Sequence, residues 1–285
     1  MSVIFTDSNC ELSWKTIEEL GVELIKMPYT LENEEYYYDD GKDQSFKCIY
    51  DKMRKGAVAI TSALSPQNYI DYFEPFFKKG EDILYIAFSD KLSGTFNYLG
   101  MALEELKEKY PERKFTRFNT ASISYGGGIQ VIEAVKLKKQ GLSDEEIVAK
   151  LEEFKNKVRI YFYVDSLTYL RRGGRISSAS AVFGGMLNIK PILTCKDGSL
   201  LKLTTVKGQK KAIAKIVELF MSDVDLSYDG SFYIIDADAK DSAMELNAEL
   251  EKACGGKAKF ETNDIGPVIT AHAGPGTLGL IYVAK

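Results

Sequence analysis

The chain has 285 residues, 45% of them hydrophobic and 27% charged, the proportions of a soluble globular protein large enough for one big domain or two ordinary ones and for an enclosed ligand. Its 37 Lys and Arg against 41 Asp and Glu give a net charge of −4 and a pI near 5.4, which excludes nucleic-acid or anionic-membrane binding by bulk charge, so any basic patch is local. Cys10, Cys48, Cys195 and Cys254 form no CxxC and the chain has a single histidine, so neither a zinc site, another metal centre nor a disulfide framework is expected.

In chain order, the start "MSVIFTDSNCELSW" turns polar after one short apolar run. Nothing in the chain approaches the roughly 20 apolar residues of a membrane helix, so a cytoplasmic protein with reduced thiols is expected. "SVIFTDS", "VAITSALSP" and "DILYIAFSD" each read as a β-rich run followed at once by small hydroxyl residues. Helices follow two of them: "SPQNYIDYFEPFFKKG", with Ser65 as cap and Pro66 at the first helical position, and "SGTFNYLGMALEELKEKY" from Ser93. The strand "KFTRFNT" precedes the Gly-rich turn "SYGGGIQ" and a helical run through Lys139. This βαβα succession predicts a parallel sheet with helices on both faces.

The helix "SDEEIVAKLEEFKNK", capped by Ser143, bridges to a second half. There "RIYFYVDSLTYLRRGGRI" gives a strand, a short helix and a glycine stop, and "IKPILTCKDGSLLKLTTVKG" gives two β runs around Asp197-Gly198, a hairpin signal. After the helical "QKKAIAKIVELFMSD" come strand "SFYIIDA", helix "DSAMELNAELEKAC" and strand "KAKFET". "PVITAHAGPGTLGLIYVAK" closes the chain as two β runs about a Gly-Pro turn. The fold class expected is therefore α/β in two domains: 1–159 with a parallel sheet in an α/β/α arrangement, and 160–285 with a mixed or antiparallel sheet, a cleft between them being the natural ligand pocket.

Hydroxyl-rich strand ends are the chemical candidates. Asp7-Ser8, Thr61-Ser62 and Ser93-Gly94-Thr95 fall at predicted carboxyl edges of parallel strands, where O–H and N–H donors can converge on an anion, though any one of them also reads as a plain helix cap. His272, the lone histidine, reads as a core residue, a general base or a donor to that anion. A serine triad is poorly supported: "KLSGT" lacks the G-x-S-x-G elbow and no particular Asp is placed to orient His272. Tyr125 to Gly128 and Gly274 to Gly276 supply tight turns or close backbone approach, but match neither a Walker A nor a Rossmann fingerprint in full. Arg171, Arg172 and Arg175 around Gly173-Gly174, with Lys207, Lys210 and Lys211 as an extension, form a positive spot suited to solvent, an acidic partner or phosphate.

Together, "FTDSNCEL", "TSALSP", "SGTFN", "SYGGG", "SLTYLRRGGRIS", "LNIKPIL" followed by "DGSL", and "IGPVITAHAGPGTLGL" resemble the DegV family along nearly the whole chain, the fatty-acid-binding proteins related to the FakB subunits of bacterial fatty acid kinase. The resemblance implies a two-domain protein that encloses one long-chain fatty acid, such as palmitate, stearate or oleate, between its domains. It also implies presentation of the carboxyl group to a separate kinase subunit, which makes an acyl-phosphate for phospholipid metabolism. It places Thr61, Ser93 and His272 around the carboxylate, Ser62, Gly94 and Thr95 along that end of the pocket, and Arg171, Arg172, Arg175 and Lys207 towards the kinase or phosphate. No catalytic residue and no cofactor beyond the fatty acid is implied, and membrane-surface contact is at most transient. Departures from the usual pattern are Leu64 where proline is common, Asn97-Tyr98 after "SGT", and Lys207 at a position often held by arginine, whose bidentate contact lysine cannot reproduce.

Burial of about 14 methylenes at roughly 0.8 kcal/mol each gives on the order of 11 kcal/mol before ordering and association costs. Apolar burial thus dominates affinity, while the polar head fixes orientation and selects an acid. The alternatives are a hydrolase acting on an acyl ester or thioester through Ser93 and His272, and a binder of another small amphipathic acid.

Overall fold

The structure, a computed structural model, describes residues 2–42, 46–176 and 188–285. Ser177 and Leu187, which belong to two of the quoted motifs, lie outside the described residues. In chain order the elements are β1 (Val3–Asp7), α1 (Trp14–Leu20), β2 (Glu23–Ile25), β3 (Pro28–Leu31), β4 (Glu34–Tyr37), α2 (Phe46–Arg54), β5 (Ala59–Thr61), α3 (Pro66–Lys78), β6 (Ile83–Ala87), α4 (Thr95–Lys109), β7 (Phe115–Asn119), α5 (Tyr125–Lys139) and α6 (Asp144–Phe154). They continue with β8 (Val158–Tyr163), α7 (Thr168–Arg172), β9 (Ile189–Lys196), β10 (Ser199–Lys207), α8 (Gln209–Asp223), β11 (Phe232–Ala237), α9 (Lys240–Cys254), β12 (Phe260–Asp264), α10 (Pro267–Ala273) and β13 (Thr277–Val283). The chain divides into two compact units, Met1–Gln44 with Thr61–Asn156, and Ser45–Ile60 with Lys157–Lys285.

The first unit carries a four-stranded sheet in the order β2-β1-β6-β7, parallel at each pairing. Every residue of β6, Ile-Leu-Tyr-Ile-Ala, is buried, as a central parallel strand covered on both faces requires. Helix starts follow their caps. The Ser65 hydroxyl accepts from the Asn68 amide while the Asn68 side chain accepts from the Ser65 amide, and Pro66 takes the first helical position of α3. Ser143 and Glu146 repeat the reciprocal pair at α6.

Two expectations need correction here. β5 is only three residues long and is not among the strands of the four-stranded parallel sheet, so Thr61-Ser62 does not sit at a carboxyl edge of that sheet. Ile60 is 59% exposed, so the apolar run "VAI" does not mark a core strand. The "YGGG" run is not a loop but the first turn of α5, buried throughout. A Cβ at Gly128 would lie 2.7 Å from the Cys10 carbonyl oxygen, so the glycine lets α5 lie against the turn that follows β1. Gly128→Ala is expected to cost about 1–3 kcal/mol by overpacking, checked by chemical denaturation.

The second unit carries a six-stranded sheet in the order β10-β9-β8-β13-β11-β12. The β11–β12 pair is parallel and the rest are antiparallel, the mixed sheet expected. β9 and β10 form the hairpin anticipated at Asp197-Gly198, both residues having left-handed backbone with φ of 51° and 80°. Residues 45–60 group with this unit rather than with the first 159 residues. α2 buries Ile49, Tyr50 and Met53, its Tyr50 hydroxyl donates to the Ile265 carbonyl at 2.5 Å, and Arg54 pairs with Asp238. "PVITAHA", expected as a strand, is the helix α10. Pro267 stands at its first position after Gly266, a favoured helix start, and Gly274 at φ 82° ends it. These signals outweigh the β-branched Val268, Ile269 and Thr270. No helix among the described residues is long and apolar enough to cross a membrane.

Candidate functional site

In the first unit the turn after β1 is structural. The Asp7 carboxylate accepts from the Asn9 amide (3.1 Å) and side chain (2.8 Å), the Tyr85 hydroxyl (2.8 Å) and the Phe88 amide (3.1 Å). It thereby joins the ends of β1 and β6. Burial pushes its carboxyl up, and these donors pull it back down. Ser8 is fully buried and its hydroxyl accepts from the Met27 amide at 3.0 Å. This pair therefore holds the carboxyl end of the sheet together.

The turn after β6 presents Ser93-Gly94-Thr95. The Ser93 hydroxyl accepts from the Thr95 amide at 3.2 Å, and Ser93 is half-buried with extended backbone. Gly94 is exposed and is the cap of α4 without a side-chain bond. Beyond the Thr95 amide, which the Ser93 hydroxyl takes, the first turn of this 15-residue helix has no bond from its N-cap residue's side chain. Thr95 is fully buried, and its hydroxyl is shared with the Tyr69 hydroxyl (2.8 Å) and the Leu64 amide (3.3 Å). Thr95 thus ties the Thr61–Ser65 loop to the start of α4. Leu64, the departure from proline, supplies that amide donor, which a proline lacks, and is itself 1% exposed. Thr61 is half-buried and Ser62 exposed, with the Ser62 amide reaching the Pro28 carbonyl at 3.4 Å. Asn97 and Tyr98 are exposed on α4. Sequence reasoning missed Tyr69; its only signal is a tyrosine on the buried face of a capped helix. It also missed Asp40, 3% exposed, whose carboxyl is pushed well up by burial and by Glu11, Asp7 and Asp39.

In the second unit α7 docks on α10 through glycines. A Cβ at Gly173 would lie 2.2 Å from His272 Nδ1, one at Gly274 2.4 Å from the Tyr169 ring, and one at Gly276 2.1 Å from the Asp165 carboxylate. Gly274 and Gly276 have φ of 82° and 88°. The turn therefore holds His272 directly against the "RRGGR" segment. Arg171 and Arg172 are exposed and Arg175 half-buried. The Arg172 guanidinium lies 5.1 Å from the Tyr169 ring centroid, and Arg175 donates to the Gly173 carbonyl. Burial, then the positive charges of Arg175 and Arg172, hold His272 down to about 4, so the imidazole is neutral at neutral pH. Two cations beside it oppose the imidazolium that a serine hydrolase needs of its base, so the surroundings do not favour the hydrolase reading.

Lys207 is exposed at the end of β10, and Lys210 and Lys211 are exposed in the first turn of α8. A cavity of about 500 Å³ in this unit, bordered by Arg54, Lys190, Lys240 and their acidic neighbours Asp165 and Asp238, is lined by ion pairs and does not suit an acyl chain. Among the described residues no cluster of His, Cys, Asp and Glu has a metal-holding arrangement, and Cys10, Cys48, Cys195 and Cys254 are free thiols.

A parallel α/β unit with hydroxyl-bearing turns at its strand ends, followed by a mixed α/β unit with a neutral imidazole set in a basic turn, defines the class: a two-unit α/β protein built around polar turns. The chain belongs to the DegV family, whose description, "Uncharacterised protein, DegV family", matches residues 1–285. A DegV domain-containing protein of Clostridium perfringens is 36% identical over 287 residues, spanning 99% of this chain and 97% of that protein. Among solved structures, a Thermus thermophilus DegV family protein described by its fatty acid binding aligns with a TM-score of 0.85 at 29% identity, over 99% of both chains. A stearic acid-binding protein of Eubacterium ventriosum aligns with a TM-score of 0.85 at 26% identity, over 100% of this chain and 99% of the other.

Proposed function

We propose that this protein binds one long-chain fatty acid and presents its carboxyl group to a partner fatty acid kinase for acyl-phosphate formation, having no chemistry of its own. The observation that carries the reading is full-length similarity to fatty-acid-binding members of the DegV family. The hydroxyls of Thr61 and Ser93 and the neutral imidazole of His272 take the carboxyl group, with Ser62, Gly94 and Thr95 at that end of the ligand. Thr95 acts there through its bonds to Leu64 and Tyr69, because its own hydroxyl is engaged. Arg171, Arg172, Arg175 and Lys207 serve the kinase or its phosphoryl group. The four free thiols support a reducing, cytoplasmic setting.

Mass spectrometry of the denatured protein, purified without added lipid, is expected to find one fatty acid per chain. A ligand without an acyl chain would direct the search to another amphipathic acid. Thr61→Ala and Ser93→Ala are each expected to weaken fatty-acid affinity about 10-fold or more, the loss of a hydrogen bond to a charged group, while the melting temperature stays near that of the parent. Unchanged affinity in both variants would overturn the assignment of these hydroxyls.

A further inference from the structure

Tyr69 and Thr95 are both fully buried, and their hydroxyls lie 2.8 Å apart. Tyr69 is set at the start of α3 by the Ser65 carbonyl, which accepts its amide at 3.4 Å. Its ring stacks on Phe73 with centroids 6.0 Å apart, so the phenol is held against α4 by its own helix. Among the described residues the Tyr69 hydroxyl bonds only to Thr95, and the Thr95 oxygen only to Tyr69 and to the Leu64 amide at 3.3 Å. The pair of hydroxyls owns two protons and has one bond between them. One proton is therefore left without an acceptor in a place closed to water, where an unmet donor is costly. A phenol is the more acidic of the two groups and its ring-conjugated oxygen the poorer acceptor, so Tyr69 donates and the proton left over is that of Thr95. Burial holds the phenol well above its usual range, which keeps it a donor at neutral pH. The bonds of Thr95 to Leu64 and Tyr69 thus fill both lone pairs of Oγ1, and through them this buried position can give a hydrogen bond but not receive one. Beside it, the Ser93 oxygen accepts the Thr95 amide at 3.2 Å, which joins the two hydroxyl residues in one turn.

We propose that Tyr69 sets the preference of this turn for an acid: by donating to Thr95 Oγ1 it closes the last acceptor position there and fixes the Thr95 hydroxyl as a donor to the ligand's head group. This rests on the reading of Ser93-Gly94-Thr95 as the carboxyl end of a fatty-acid site, and deepens it by naming the residue that selects the head group. A carboxylate only accepts hydrogen bonds, so it meets a fixed donor with nothing of its own unpaired, and its charge strengthens the bond. An alcohol head brings a proton of its own, which Thr95 has no lone pair to take. Tyr69 is thus a positioning residue that acts on the ligand through Thr95. Leu64 is its counterpart on the same oxygen, because its amide closes the other acceptor position, and a proline there has no N–H with which to do so.

The test loads the delipidated full-length protein with a fluorescent fatty-acid reporter and compares hexadecanoic acid with hexadecanol as displacers, which gives an acid-over-alcohol affinity ratio. Tyr69→Phe keeps the ring and its stacking on Phe73. It is expected to lower the ratio about 5-fold, the equivalent of one ordinary hydrogen bond, as the acid loses a fixed donor and the alcohol gains an acceptor. A merely structural tie between α3 and α4 would weaken both ligands by one factor and leave the ratio where it was. Leu64→Pro opens the other lone pair of the same oxygen and is expected to move the ratio in the same direction, so it decides the matter should Tyr69→Phe not fold. Tyr72, also on α3, accepts from the Lys26 amide at 3.0 Å with its hydroxyl, and Tyr72→Phe is expected to leave the ratio unchanged. A ratio that stays at the parent value in Tyr69→Phe, or that falls equally in Tyr72→Phe, would overturn the role of Tyr69 alone. A parent protein that binds neither displacer, or does not prefer the acid, would overturn the fatty-acid reading and this proposal with it.

Discussion

Asp7→Ala is expected to destabilise the protein by about 3–5 kcal/mol, because it leaves the Tyr85 hydroxyl and the Phe88 and Asn9 amides facing a buried gap, each orphaned donor costing about 1–3 kcal/mol. The effect is large because Asp7 is 1% exposed, so water cannot replace the lost acceptor without opening the ends of β1 and β6. Calorimetry should record a fall in melting temperature on the order of 10 °C. Tyr85→Phe removes one donor and one side of the contact together, and is expected to cost far less. A small loss for Asp7→Ala would mean that this end of the sheet is already hydrated, and that Asp7 is available to a ligand after all.

Phe220→Ala should cost a similar amount in the second unit, about 3–5 kcal/mol. Phe220, fully buried, projects from α8 onto the sheet. Its ring lies edge-on to Tyr282 at 4.9 Å and to Phe232 at 5.7 Å, and tilted against Phe260 at 5.9 Å. One helix residue thereby packs onto the adjacent strands β13, β11 and β12, and edge-to-face pairs add about 0.5–1.5 kcal/mol each beyond the area they bury. Urea denaturation followed by tyrosine fluorescence checks it. Phe220→Leu, which keeps most of the volume, is expected to recover more than half of the loss, and equal losses for Leu and Ala would make ring geometry rather than volume the dominant contribution.

Much of the parallel sheet was legible because β1 and β6 are short apolar runs with hydroxyl-bearing turns behind them, and helical spacing follows β6 and β7, all signals local in sequence. What escaped was non-local or overridden. β2 and the β3–β4 hairpin owe their existence to pairing partners: β2 is three residues beside β1, and Glu32-Asn33 makes the hairpin turn while the polar Glu34 and Glu35 already belong to β4. "PVITAHA" shows β-branched residues that favour a strand, yet the Pro267 start and Gly274 stop win because they decide which backbone conformations are available. At the candidate site, Ser93, Gly94 and His272 were visible as polar residues in turns. The engagement of Thr95 by Tyr69 and of Asp7 by Tyr85 was not, because those partners lie 26 and 78 residues away and only the folded chain selects them.

The excursion of residues 45–60 has a consequence for synthesis. α2 leaves the ribosome early, but the carbonyl its Tyr50 hydroxyl binds belongs to Ile265, 215 residues later, a delay of roughly 10–40 s at about 5–20 residues per second. Until residues beyond 157 emerge, the face carrying Ile49, Tyr50 and Met53 lacks the unit with which it groups, so a chain stalled near residue 156 displays an amphipathic helix within an otherwise completed first unit. Nascent chains of this protein are therefore expected to be clients of holding chaperones for most of their elongation, and to be released only when the last strand is made.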